Sequence, residues 1–176
     1  MNKKFDIKKR DIILIAVVSV IVLAILVFSL ATRTKGSYAF VKYGDSELFR
    51  VKMEDGKYES STTSYTVTSK PLIDGDDLIV DGAKDTRLQK GKGVIVFKEG
   101  VLTHFYILGF RGYIHIEYCS EIKKIRVVEE DSPYHICSNL GFTDSKPIIC
   151  LPNLVSIVFD NDVDKIIWIK WALENL

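Results

Sequence analysis

One stretch near the start of the chain is apolar without interruption. Residues 12–31, IILIAVVSVIVLAILVFSLA, contain no charged residue and no proline. A helix of about 20 residues, at about 1.5 Å per residue, covers roughly 30 Å, the thickness of the hydrocarbon core of a bilayer. A buried helix of a soluble protein normally keeps a polar face, and this segment has none. The pattern therefore predicts a single transmembrane helix over residues 12–31.

The residues on either side of this segment predict its orientation. Residues 1–11 contain five lysines and arginines against two aspartates, which favours a cytoplasmic N-terminus. Residues 32–36 are then a linker, and residues 37–160 an extracytoplasmic domain at the cell membrane. Because Ser29-Leu30-Ala31 has the small residues that a signal peptidase prefers, a cleaved signal peptide is the alternative, although its apolar run usually has about 7–15 residues. Both interpretations export the domain.

Beyond the linker, apolar residues occur in short runs rich in aromatic and β-branched side chains, separated by Gly, Asp and Asn. These runs are 37–43, 46–53, 93–98, 101–108, 113–119, 122–130, 147–151 and 154–159. Seven or eight strands at such short spacing predict a mainly β domain, either a small barrel or a sandwich.

The run 113–119 shows the alternation of a half-buried strand. Every second residue from Ile114 onward is apolar, so these side chains share one face of the strand. His115 and Glu117 lie on the opposite face. We expect the first face to belong to the core and the second to be wetter.

Two segments lack these patterns. Residues 57–92 are rich in Ser, Thr, Asp, Gly and Lys, which predicts exposed loops and turns with at most an exposed strand. Residues 161–176 form a C-terminal extension, in which 163–176 favours a short helix. We expect Trp168 and Trp171 to dock on the domain; a partner or the bilayer interface is the alternative.

The charge of the exported part excludes one class of partner. The whole chain holds 24 basic and 23 acidic residues, of which residues 1–11 contribute five and two, leaving 19 basic and 21 acidic. A domain with this slightly negative balance lacks the basic surface that phosphate backbones require. We therefore expect no nucleic-acid partner.

Two of the three cysteines are candidates for a disulfide. Cys137 and Cys150 lie 13 positions apart, and in an oxidising compartment a bridge between them would stabilise the fold by roughly 3 kcal/mol. We predict this bridge; two free buried thiols, and redox or metal chemistry, are the alternatives. A zinc site would lack a ligand, because only His135 accompanies the two thiols, and no Cys-x-x-Cys motif is present. We expect Cys119 to be a buried apolar residue.

The remaining polar residues do not form a recognisable catalytic pattern. His104 and His115 fall on neighbouring predicted strands and could face each other, but a metal site would need a third ligand. The sequence contains neither a Gly-x-Ser-x-Gly elbow nor a His-Glu-x-x-His motif. We therefore predict no catalytic residue, no cofactor and no metal ion.

A more specific pattern closes the domain. Together with the N-terminal span, residues 127–159, VVEEDSPYHICSNLGFTDSKPIICLPNLVSIVF, resemble the small membrane-anchored proteins that carry a NusG domain II-like module. The matching residues are Pro133, Cys137, Gly141, Phe142, Ser145, Pro147, Cys150, Leu151, Pro152 and Asn153. The resemblance implies a compact β domain similar to the second domain of NusG, with no established enzymatic activity. The chain departs from the family at Ser132, where a cysteine is common.

Together these features predict a membrane-anchored, extracytoplasmic and non-catalytic β domain that binds or supports another protein of the cell envelope. The alternative is an accessory role in envelope redox or flavin-linked chemistry through Cys137 and Cys150.

Overall fold

The computed structural model describes residues 9–31 and 36–160. The chain divides into two compact units, Met1–Thr34 and Lys35–Leu176. The predicted short helix of the C-terminal extension lies outside the described residues, as do residues 1–8 and all but the last residue of the predicted linker.

The first unit contains one helix, α1 (Lys9–Ala31). The apolar run therefore forms a helix, as its sequence predicts. Its described large apolar side chains are more than half exposed, among them Leu14, Val20 and Ile25. Within residues 9–31 and 36–160, none of the helices meets the combined requirements of length and hydropathy for a membrane span.

The second unit is mainly β, as predicted. Its strands are β1 (Tyr38–Tyr43), β2 (Ser46–Lys52), β3 (Tyr58–Ser60), β4 (Ser64–Thr66), β5 (Leu72–Asp74), β6 (Asp77–Val80), β7 (Ala83–Lys84), β8 (Val94–Glu99), β9 (Leu102–Leu108), β10 (Tyr113–Cys119), β11 (Lys124–Glu130), β12 (Ile148–Cys150) and β13 (Val155–Phe159). A short helix, α2 (Ile136–Asn139), and a 3-10 turn, Leu151–Asn153, lie beside β12. All eight predicted runs form strands. The five strands β3 to β7 occupy the segment 57–92, which the sequence predicts to be mostly loop.

Three sheets are formed by these strands. The first has the order β12-β13-β1-β2-β3, and all its neighbours are antiparallel. The second has the order β11-β10-β9-β8-β4, in which only β4 and β8 are parallel. The third consists of β5, β6 and β7. None of these sheets closes on itself, so the described strands form packed open sheets and the barrel alternative is not realised.

The second sheet is buried on both faces. On one face its apolar residues pack against the first sheet, and the rings of Phe49 and Phe105 stack with centroids 4.7 Å apart. On the other face a second apolar cluster joins Tyr106 and Tyr113 to Leu78 of the third sheet. All seven residues of β10 are therefore buried. The prediction of a wetter face on this strand is wrong, because β5 to β7 supply a third layer.

Candidate functional site

The motif residues at the end of the chain fold around one carboxylate. The closing segment, residues 131–154, leaves β11, forms α2, and returns through β12 and the 3-10 turn. Helix α2 packs against both β11 and β12. This path brings Cys137, Cys150 and Asn153 next to Glu130, and these four residues are called the Glu130 site below.

Glu130 is 2% exposed and holds the closing segment by hydrogen bonds. Its Oε1 accepts from the backbone amides of Cys137 at 2.7 Å and Ser138 at 3.3 Å. Its Oε2 accepts from the thiol of Cys150. One buried carboxylate therefore fixes both the start of α2 and the end of β12. In the sequence, Glu130 is recognisable only as the end of a strand, because the groups that contact it are distant along the chain and two of them are backbone amides.

Asn153 ties the 3-10 turn to two other loops. This motif residue is fully buried, and its Nδ2 donates to the carbonyl of Asp131 at 2.9 Å. Its Oδ1 accepts from the amides of Arg111 and Gly112 at 3.1 and 3.3 Å. The amide Nδ2 also lies 3.5 Å from the sulfur of Cys150. An asparagine is suited to this position because it offers a donor and an acceptor on one short side chain.

Both cysteines of the site are buried free thiols. One ligand atom from each of Glu130, Cys137 and Cys150 lies within 4.8 Å of the others. The predicted disulfide is not formed in this structure and stays a prediction for the oxidised protein. Cys119 is also buried and free, at the end of β10, as its sequence context predicts.

The protonation states follow from burial and hydrogen bonding. Burial and the neighbouring Cys150 raise the pKa of the Cys137 thiol, and burial with the Glu130 carboxylate raises the pKa of Cys150. Burial by itself would raise the pKa of Glu130, but donation from Cys150 and from the Cys137 amide lowers it overall. At neutral pH the site therefore holds a carboxylate beside two protonated thiols.

The other motif residues lie around this site rather than in it. Pro133, Pro147 and Pro152 are exposed, and Gly141 has a φ of +68° that favours glycine. Phe142 is partly buried, and the guanidinium of Arg126 lies 4.4 Å from its ring centroid. His135 is exposed with a φ of +47°.

The closing segment exposes a set of large apolar side chains, called the closing surface below. Its members are Tyr134, Ile136, Leu140, Ile149, Leu151 and Leu154. Tyr134 and Leu151 are 78% and 74% exposed. Ile149, Leu151 and Leu154 line one shallow depression of about 150 Å³. Because exposed apolar side chains that gather in one place often mark an interaction site, this surface, with these three residues at one depression, is a candidate for binding.

A second polar cluster lies on the buried outer face of β10. His104 and His115 face each other, as their positions predict, with His104 Nδ1 2.9 Å from His115 Nε2. Glu117 is the third partner that the sequence did not reveal, with Oε2 3.7 Å from His104 Nδ1. Two features could have indicated Glu117: it lies opposite His104 in the β9–β10 register, and it lies on the same face as His115. These three residues are called the histidine cluster below.

The histidine cluster is almost sealed from solvent. His104 is 1% exposed and His115 is 6% exposed. Burial is the main cause that lowers the pKa of His104, and burial together with His104 lowers the pKa of His115 to about 3. Both imidazoles are therefore neutral at neutral pH. The ring of His115 also stacks on Tyr106, with centroids 4.4 Å apart.

No family model matches the chain, and neither the curated proteins nor the solved structures contain a significant match. The expected resemblance to NusG domain II-like proteins therefore stays a prediction from the sequence of residues 12–31 and the motif residues of the closing segment.

Proposed function

We propose that this chain is a membrane-anchored, non-catalytic β domain that binds another envelope protein through the closing surface. The observation that carries this proposal is the concentration of six exposed large apolar side chains on one 24-residue segment, residues 131–154. Burial of apolar area is the main driving force of protein association. Tyr134, which is the most exposed member, belongs to the aromatic residues that are enriched among those that dominate interface energies.

The Glu130 site explains how such a surface is held ready for binding. Tyr134, Ile136 and Leu140 lie in and beside α2, whose first amides are held by the carboxylate. Ile149 and Leu151 flank Cys150, whose thiol donates to the same carboxylate. Side chains whose backbone is fixed in advance lose less conformational entropy on binding. The motif residues therefore have a structural role that supports recognition.

The membrane anchor of this proposal is the segment 12–31. It rests on the sequence, in which about 20 uncharged residues follow a basic N-terminus. In α1, the described apolar side chains are exposed on all sides of the helix, for example Leu14, Val17 and Ile21, as a membrane anchor requires. On this proposal the domain, with a NusG domain II-like fold, lies outside the cytoplasm on a single-pass anchor.

The alternative redox function has less support. Reactive cysteines are partly exposed and have a lowered pKa, because the thiolate is the nucleophile. Cys137 and Cys150 are 3% and 2% exposed, and the pKa of each thiol is raised. The thiol of Cys137 donates to the carbonyl of Ile149, and that of Cys150 donates to Glu130. These contacts favour a structural role for the pair.

Photo-crosslinking in intact cells tests the proposed binding surface. A photoreactive amino acid is placed at Ile149 in the closing surface or at Leu72, which is 63% exposed on β5, as the matched control. We expect a discrete crosslinked species from position 149 only, and we expect Leu151→Asp to abolish it. Equal crosslinking from both positions, or a product that survives Leu151→Asp, would contradict the proposal.

Protease treatment of intact protoplasts tests the topology independently. We expect the domain to be digested in intact protoplasts while a cytoplasmic marker protein is spared. A domain that is cut only after lysis would overturn the extracytoplasmic placement and leave the binding surface itself untouched.

A further inference from the structure

We propose that the histidine cluster, His104, His115 and Glu117, is a binding site for a divalent transition-metal ion of the zinc class. Two imidazoles and one carboxylate are a ligand set that such ions use in proteins, with a fourth position left for water. The site is separate from the closing surface and from the Glu130 site, so it adds to the proposed function and does not depend on it.

The spacing of the two imidazole nitrogens fits a shared ion. His104 Nδ1 and His115 Nε2 are 2.9 Å apart. Two ligands at about 2.05 Å from one ion lie about 2.9 Å apart at a right angle and about 3.3 Å apart at the tetrahedral angle. An ion in place of the hydrogen between the rings would lie beside the line that joins the two nitrogens. The nitrogens need separate by at most about 0.4 Å, but each ring has to turn to direct its lone pair at the ion. The ring that now donates this hydrogen would carry it on its other nitrogen, so both neutral rings keep one N–H.

Glu117 is oriented so that one oxygen remains for an ion. Arg126, which lies opposite it on β11, approaches Oε1 with Nε at 3.0 Å and Nη2 at 2.8 Å. Oε2 is the oxygen that lies 3.7 Å from His104 Nδ1. Arg126 therefore acts as an outer partner that fixes the carboxylate, as residues behind metal ligands commonly do. The positive charge of Arg126 also repels the ion, and this repulsion lowers the affinity of the site for the metal.

A carboxylate lies near the far nitrogen of His104, where metal-bound histidines usually have a hydrogen-bond acceptor. This nitrogen, Nε2, is buried and has no hydrogen-bond partner among the described residues. The nearest carboxylate oxygen, from Glu99, is 3.7 Å away, and Glu99 is itself 3.5 Å from Lys70 Nζ. A histidine that binds metal through one nitrogen usually donates the other N–H to a carboxylate, a backbone carbonyl or a water. A small shift of the exposed Glu99 side chain would complete that bond.

The strands hold the three ligands in a fixed arrangement. His104 on β9 lies directly opposite Glu117 on β10, and His115 is two residues before Glu117 on the same face. The ring of His104 stacks against Phe97 and that of His115 against Tyr106. Ligands on central strands between packed rings have little rotamer freedom, so the ordering cost of metal binding is small.

Metal titration of the full-length protein in detergent, after treatment with a chelator, tests this site. Zn²⁺ affinity is measured by competition with a chromophoric chelator, and Co²⁺ is used as a spectroscopic probe. We expect one Zn²⁺ per chain, visible Co²⁺ bands without a thiolate charge-transfer band, and a higher Tm with Zn²⁺. His115→Gln and the isosteric Glu117→Gln should each weaken binding on the order of 100-fold or more.

Two controls distinguish this site from other donors in the chain. His135→Gln removes an exposed histidine outside the cluster and should leave the affinity unchanged. The double variant Cys137→Ser/Cys150→Ser should also bind Zn²⁺ as the wild type does. Failure of the wild type to bind stoichiometrically would overturn the proposal. Loss of binding in the cysteine double variant with retention in Glu117→Gln would also overturn it, because the ion would then lie at the Glu130 site.

Discussion

Replacing Glu130 measures how much the closing segment depends on one buried carboxylate. In Glu130→Ala the amides of Cys137 and Ser138 and the thiol of Cys150 lose their acceptor. A buried donor without a partner costs about 1–3 kcal/mol, and deletion also removes the desolvation cost of the charge. We therefore expect the free energy of unfolding to fall by about 2–4 kcal/mol.

Two further variants separate the charge from the shape of Glu130. Glu130→Gln keeps an oxygen for the amides but places an NH₂ group against the Cys150 thiol, so we expect a smaller loss of about 1–2 kcal/mol. Glu129→Gln removes the neighbouring exposed carboxylate and should change stability by less than about 0.5 kcal/mol. The assay is urea unfolding with a reducing agent present. If Glu130→Ala costs no more than Glu129→Gln, the carboxylate does not hold the segment.

Three other changes have expected outcomes. Folding lowers the pKa of Glu130 below its ordinary value of 4.5. The contribution of the carboxylate to stability is therefore complete above that pH and is lost as the pH falls through the folded-state pKa. In urea titrations at acid pH, the difference in unfolding free energy between wild type and Glu130→Gln should shrink. A Cβ on Gly56, which has a φ of +69°, would lie 2.5 Å from the Tyr118 ring, so Gly56→Ala should lower Tm more than Gly100→Ala, where φ is +59° and the space is open. If Cys137 and Cys150 form the predicted bridge on oxidation, the oxidised protein should be more stable than the reduced protein by roughly 3 kcal/mol, and equal urea midpoints with and without reductant would show that no stabilising bridge forms.

The strands of the two larger sheets could be predicted where alternation and turn residues were clear. The runs 113–119 and 154–159 became β10 and β13 within one residue at each end. The third sheet could not be predicted, because β5 to β7 have only two to four residues each and lie among aspartates and glycines. Such short strands give no alternation to detect, and their formation depends on the apolar face that they cover.

The candidate sites were predictable only in part, for a similar reason. Cys137, Cys150 and Asn153 were found because they belong to a local motif, and His104 and His115 because they lie on adjacent strands. Alternation places Glu117 on the same face as His115, but its position opposite His104, like the direction of Glu130 on β11, depends on the register of β10 with its neighbours. A sequence pattern does not fix that register.

A bulge in β11 decides which glutamate reaches the thiols. His115 pairs with Glu129 while Ile116 pairs with Val127, so Val128 is an extra residue on β11. Strict alternation from Val127 would turn Glu129 toward the core and leave Glu130 outside. The extra residue reverses this, and Glu130 is buried while Glu129 is exposed. The same strand can therefore present a cation, Arg126, to the histidine cluster on one face and an anion to the closing segment on the other.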